Sequence, residues 1–418
     1  MIRVLKVVDR VRGTLLLFFC IIGLLFVTPL LAINKSSSHL RIYLDADLTG
    51  SKESGRSIEY GIRTALAEVG NVIAGRSVQL VILDHKGNSS RSRSNLERFN
   101  SDPNALLVFG GLHSPPLLRN RKFINQHGIL TLVPWAAAGP ITRGDQSPNW
   151  IFRLSIDDAK ASAVLVNYAI QKRKFKRPVL LLERTGWGRN NYNNMLKRFK
   201  QLGLPSPLVR WFDWSVSGLE VEKILQQVQD YRGDVIIFVG NAPEGKTIFK
   251  IVSQIPSKQR PAIVSHWGIT GGDFPQVIGA TMRSKLDLHF LQTNFSFLNE
   301  NLSPFAKDVF SKLQALYPKI KGVEDLKAPA GFIHAYDLTK ILITAIRASK
   351  LSSNIVKARN QLRKSLENIT FPVKGLLKTY HRPFTPFTSD KPDAHEALRG
   401  EDFVMAHYNQ RNAILLDE

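Results

Sequence analysis

Thiol chemistry is almost missing from the 418 residues, which include a single cysteine, Cys20. A disulfide scaffold, a thiolate zinc site and an iron–sulfur cluster each need more sulfur than that. Acidic residues are also few, 34 Asp and Glu against 57 Lys and Arg, for a formal charge of +23. Such an excess makes nucleic acid, a membrane surface or an anionic ligand the first candidates for a partner. Catalytic signatures are sparse. No Gly-x-Ser-x-Gly elbow and no His-Glu-x-x-His helix occurs, and a phosphate-binding P-loop is not expected. The ten histidines are scattered, with none at metal-ligand spacing, so neither a metal site nor a cofactor is expected. The basic cluster at 171–177 holds one aromatic, Phe175, not the interleaved series or reader motif of a nucleic-acid site, and nucleic acid is set aside as a partner.

The N-terminus has a separate character. Arg3, Lys6, Arg10 and Arg12 precede an uncharged, apolar run from Gly13 to Ala32. A basic start, an apolar stretch and a small final residue read as a secretory signal over 1–32. The run is also long enough to span a bilayer, so a retained N-terminal anchor is the second reading. Either sends residues 33–418 across a membrane. That body keeps 53 basic against 33 acidic residues, or +20, and has no cysteine.

Within the body, strand-like runs alternate with helix-like stretches in two series. The first has runs at 41–46, 77–84, 105–111, 129–135 and 150–155; the second has them at 178–183, 208–214, 234–240, 262–267 and 285–294. Most are apolar throughout, as in parallel strands covered on both faces. Between them lie segments of helical period, such as 57–69, where Ile58, Ile62, Ala65, Leu66 and Val69 share one face. In the second series the helices are expected at 157–173, 193–203, 219–231 and 246–255. Helices at 303–317, 328–349 and 356–368 follow, then a last strand at 402–408. The pattern predicts an α/β protein of two doubly wound, Rossmann-like lobes.

Ligands of open α/β sheets bind beyond the C-terminal ends of the strands. Those positions hold Asp47, His113, Ser114, Trp135 and Ala137 in the first series, and Trp187, Asn241, Glu244, His266 and Trp267 in the second. Three of the six tryptophans, Trp135, Trp187 and Trp267, thus fall at strand ends. Facing each other across a cleft, they would form flat walls for a planar ligand or a cation. His113 and Ser114 are adjacent in sequence and point apart, with no orienting acid identifiable, so no catalytic residue is assigned.

Several segments together resemble a known family. LTGSKESGRSIEYGIRTALAEVG (48–70), VFGGLHS (108–114), GILTLVPWAAAGPITRG (128–144), ERTGWGRNN (183–191) and AGFIHAYDLTKILITAI (330–346) are similar, in order and spacing, to type I periplasmic solute-binding proteins of the leucine/isoleucine/valine-binding group. The resemblance implies two lobes joined by a three-strand hinge, with residues 39–155 plus 295–355 in one and 156–294 plus 356–418 in the other. It implies a binding protein without enzymatic activity, whose lobes close on a small solute. Ser114 would hold a ligand carboxylate, the backbone near Trp135 and Ala137 would line the pocket, and Trp187 would cap it. His113, Asn241 and Trp267 complete the expected binding set.

Two positions depart from the amino-acid binders of that group, which carry Thr where Ala137 stands and a carboxylate where Trp267 stands. A buried ammonium then lacks its partner, unless Glu244, Asp47 or Asp45 replaces it. An amide, a short organic acid or a stacked ring fits as well. The expected partner is an ABC permease receiving an amino-acid or amide-type solute; a membrane sensor kinase or cyclase is the alternative.

Overall fold

Apolar runs without alternation fit strands with both faces covered, and most of them are flanked on both sides by other strands in two sheets. The computed structural model describes residues 39–144 and 147–417; the expected signal or anchor at 1–32, with Cys20, lies outside the described residues. The first sheet comprises β1 (Leu40–Ala46), β2 (Val72–Ile73), β3 (Arg76–Asp84), β4 (Ala105–Gly110), β5 (Thr131–Val133) and β6 (Ile151–Arg153), in the order β2-β3-β1-β4-β5-β6. Its pairs are parallel apart from the short β2–β3 hairpin. The helices α1 (Lys52–Ala67), α2 (Ser89–Ser101) and α3 (Ser114–Gln126) connect its strands.

The second lobe opens with α4 (Asp158–Asn167). It continues through β7 (Pro178–Glu183), α5 (Gly186–Gln201), β8 (Leu208–Phe212), α6 (Gly218–Asp230), β9 (Val235–Val239), α7 (Ala242–Val252), β10 (Ala262–Ser265), α8 (Phe274–Arg283) and β11 (Leu288–Thr293). The chain then forms α9 (Pro304–Leu316), α10 (Pro329–Ala348), α11 (Ile355–Glu367), the hairpin β12 (Val373–Lys374) and β13 (Thr379–Tyr380), and finally β14 (Phe403–Tyr408) and β15 (Ile414–Leu416). The second sheet runs β15-β14-β11-β10-β9-β7-β8, with β14 and β15 antiparallel at one edge. The two doubly wound lobes expected from the strand–helix alternation are therefore present.

Local chemistry sets the helix starts. Asn88 caps α2 by accepting from the Ser90 and Arg91 N–H groups, and Asp157 caps α4 by accepting from Ala159. Ser217 and Glu220 form a reciprocal capping box on α6. Thr185 caps α5, which therefore starts at Gly186, not at the expected Asn193. The long helix α10 is buried along most of its length and packs on α1. The two backbones come so close that a Cβ on Gly61 would lie 2.4 Å from the Phe332 carbonyl oxygen. Any side chain there would push the helices apart.

The chain passes between lobes three times: after β6, after β11, and between Leu398 and β14. The expected division gave 356–418 to the second lobe. Instead α11 packs on α10 and β4, with the Arg359 guanidinium donating to the Ala105 carbonyl at 2.9 Å. His395 reaches the Ile151 carbonyl in the first sheet, at 3.0 Å. Only β14 and β15 of this segment extend the second sheet. The sequence pattern for α11 is amphipathic without specifying which lobe it covers.

The first crossing holds a buried ion cluster. Arg153, with no exposed surface, donates to Glu396 at 2.6 Å, to the Thr142 hydroxyl at 2.9 Å and to the Ala138 carbonyl at 2.9 Å. Arg143 and Lys160 also donate to Glu396, at 3.1 and 2.9 Å. Burial opposes the Glu396 charge, but these cations hold its carboxyl well below the usual range. Removing one partner strands a desolvated charge, so Glu396→Ala is expected to cost about 3–5 kcal/mol of stability. Urea denaturation checks this; a loss within error would show the cluster to be solvated.

Candidate functional site

The C-terminal edges of the two parallel sheets face each other, and a narrow cavity of about 10 Å³, the room of a single water, lies between them. Leu112, His113, Ser114, Pro115 and Ala137 line it from the first lobe; Glu183, Trp187, Asn241, Trp267 and Gly268 line it from the second. The N-terminal ends of α3, α5 and α7 all open toward this region, each bringing a partial positive charge. Pro115 and Pro116 remove N–H donors from the first turn of α3, which leaves the Ser114 hydroxyl prominent there. That oxygen accepts from the Ala138 N–H at 3.2 Å, so its own proton is free to donate.

Glu183 ends the apolar strand β7 and is fully buried. Its carboxylate accepts from Thr185 Oγ1 at 2.9 Å and Asn241 Nδ2 at 2.8 Å, and the Trp214 indole also donates to it. Burial nevertheless outweighs these donors and pushes its pKa up to about 7. Three donors leave one of the roughly four lone-pair positions of a carboxylate open. Glu244 lies nearby, accepts from the Ser215 N–H at 3.3 Å, and is likewise raised by burial.

The tryptophans have unequal roles. Trp187 lines the cavity and donates its indole N–H to Asp158 at 3.1 Å, with its ring edge-on to His266 at 5.0 Å. Trp267 lines the cavity too, but it stands edge-to-face on Trp135, 6.2 Å between ring centres. Trp135 is not among the lining residues. It sits behind Trp267, pressed against Gly331, where a Cβ would lie 2.6 Å from the indole. The expected trio of facing walls is thus one wall residue, Trp187, and a packed pair of which only Trp267 is presented to the cavity.

Asp47 is 3.1 Å from His113 Nε2, and the Ser51 hydroxyl is 3.3 Å from the same nitrogen. An acid beside His113 is therefore present after all. A Ser–His–Asp relay needs the serine and the acid on opposite ring nitrogens, whereas here both meet Nε2. Burial raises the Asp47 carboxyl, but His113 and the N–H groups of Gly50 and Thr49 outweigh it and hold the pKa near 2. Asp45, a possible ammonium partner, is spent on Ser92 and Asn95, at 2.5 and 2.7 Å.

The segment 240–247, GNAPEGKT, does have P-loop spacing, contrary to the expectation of none. It lacks the conformation. A phosphate cradle is an open loop ahead of the helix, but α7 already begins at Ala242, with Pro243 in its first turn. Gly245 is packed in the helix beside Ile269, and Lys246 is paired with Asp273 at 2.7 Å.

The sequence matches the family model for periplasmic binding proteins over residues 44–397. The chain belongs to the periplasmic binding protein family. Among curated proteins, none matches it. Solved structures share its fold. A type 1 periplasmic binding protein from Bordetella pertussis superposes with a TM-score of 0.75 at 15% identity, over 91% of this chain and 99% of that one. The leucine-binding protein LivK of Thermotoga maritima gives 0.71 at 17%, over 91% and 98%. An ABC-transporter solute-binding protein of R. palustris, in complex with benzoate, gives 0.71 at 16%, over 91% and 98%. No helix among the described residues of this periplasmic binding protein is long and apolar enough to cross a membrane.

Sequence reasoning missed Glu183, Trp214 and Asp158. Glu183 ends an otherwise apolar run, a signal that was available. The apolar run extends the expected strand to 214, but β8 ends at Phe212, which puts Trp214 at a strand end, 5.4 Å from the His113 ring of the other lobe. Asp158, fully buried, accepts from Trp187 and Asn190 and donates its own N–H to the Ala137 carbonyl at 3.0 Å.

Burial lifts the Glu183 pKa above its ordinary value of about 4.3, so its ionisation works against folding as pH rises toward 7. Glu183→Gln removes that cost. The variant is expected to exceed the wild type in stability above neutral pH, by up to about 3 kcal/mol, with the gap closing below about pH 5. Urea melts at the two pH values decide; a variant weakened equally at both would refute the raised pKa.

Proposed function

We propose that this protein captures a small solute of the amino-acid or amide type between its lobes and delivers it, chemically unchanged, to an ABC transporter from the periplasm. The observation that carries the reading is Glu183, a buried carboxylate with one acceptor position open, across the cavity from the unspent Ser114 proton. A solute that brings an N–H donor to Glu183 and an oxygen acceptor to Ser114 satisfies both groups at once and ties the lobes together. A hinge-closing receptor needs that kind of bridge. Glu183 also supplies the ammonium partner that Ala137 and Trp267 do not. With the lobes parted, Trp187 and Trp267 offer apolar surface for the rest of the ligand.

The structural relatives support the transport reading. They include an ABC transporter substrate-binding protein of Sphaerobacter thermophilus and LivJ of Streptococcus pneumoniae in complex with isoleucine. The N-terminal run at 13–32 supports export.

A thermal-shift panel of amino acids, amides, simple carboxylates including benzoate, and polyamines tests the proposal. Amino acids or amides should raise the melting temperature in proportion to the logarithm of their concentration. Ser114→Ala should weaken the best solute about tenfold, the worth of one hydrogen bond. Stabilisation by simple carboxylates alone, or an unchanged affinity in Ser114→Ala, would rule out the bridge.

A further inference from the structure

We infer that the far edge of the second sheet carries a divalent transition-metal site, formed by His289, His407 and Asp417. The three residues come from neighbouring antiparallel strands. The register pairs Phe290 with Ala406 and His407 with Leu415, so one further step sets His289 opposite His407. Asp417 extends the line of β15, its N–H donating to the Met405 carbonyl at 2.8 Å. Strand alternation then places all three side chains on one face.

The donor atoms already converge. One oxygen of Asp417 is 2.6 Å from His289 Nδ1 and the other is 2.8 Å from His407 Nδ1. One ligand atom from each residue lies within 4.8 Å of the others. A zinc ion bound at about 2.0–2.1 Å in tetrahedral geometry sets its ligand atoms about 3.3 Å apart. Reaching that spacing means widening the two contacts slightly and drawing the imidazoles together. His407 is 42% exposed at its side chain and His289 24%, so side-chain rotation alone can do this.

Supporting contacts match those of a metal centre. The Tyr168 hydroxyl donates to Asp417 at 3.1 Å, and Asp287 lies 3.4 Å from His289 Nε2, itself held by Arg173 at 2.6 Å. A carboxylate behind a ligating imidazole fixes the ring's orientation and tautomer. A surface cavity of about 210 Å³, lined by Arg283, Asp287, His289 and His407, leaves room for water in the fourth position. Two imidazoles and one carboxylate suit Zn²⁺, Ni²⁺ or Cu²⁺ better than the hard ions Mg²⁺ and Ca²⁺. Binding replaces any proton on each Nδ1 with the ion and releases it to solvent.

The test titrates Zn²⁺ into untagged protein against a chromophoric chelator, since an affinity tag would supply its own imidazoles. One ion per chain is expected, with Ca²⁺ and Mg²⁺ unable to compete, and Co²⁺ should show the visible bands of a four-coordinate site. His289→Ala and His407→Ala should each weaken binding at least tenfold. Tyr168→Phe should weaken it by a smaller factor than either, through the lost hydrogen bond to Asp417. Circular dichroism verifies that the variants fold. No stoichiometric uptake, or uptake unaffected by His407→Ala, would overturn the assignment.

Discussion

The buried Arg153–Glu396 pair at the first crossing is the contact on which the rest of the site hangs. Arg153 also holds the Ala138 carbonyl and lies 3.4 Å from Asp157. Asp157 caps α4, and the next residue, Asp158, anchors Trp187 and Asn190 of the second lobe and the Ala137 carbonyl of the first. A charge cluster that needs every partner for its desolvation thus fixes where α4 starts, and α4 fixes one wall of the cavity.

Glu183 poses the opposite case, a buried carboxylate left incompletely paired. Its three donors do not repay the loss of water, which is why its pKa stands near 7. A protein that needed only stability would place an apolar residue at the end of β7. Carrying a costly polar group where two sheets meet is the usual mark of a site that completes itself with a ligand. Helix N-termini from both lobes frame the same space, which favours a ligand oxygen on the Ser114 side while Glu183 takes the donor.

Most of the fold could be read from the chain. The unbroken apolar runs and the helical periods between them point to parallel sheets, because a helix between successive strands covers the sheet faces that such strands need buried. What escaped was short or context-bound. β15 is only three residues long, α8 is broken at Gly279, where φ is 72°, and α11 has an amphipathic face that either lobe could cover. Within the site, strand-end positions located Ser114, Ala137, Trp187, Asn241 and Trp267 around one cavity, yet could not say that Trp135 would turn into the core behind Trp267. Glu183 was visible as a charge closing an apolar strand. The His289–His407–Asp417 cluster was invisible to a search by spacing, since strand pairing assembles it from residues far apart in sequence.

The account rests on Glu183 accepting a hydrogen bond from the solute. Such a bond favours the ionised carboxylate, so binding must expel the proton that a group with a pKa near 7 largely holds in mildly acidic solution. Titration calorimetry in two buffers of different ionisation enthalpy counts that proton directly. At about pH 6 the account predicts release of close to one proton per solute bound, vanishing in Glu183→Gln. Proton uptake, or no exchange at all, would contradict it.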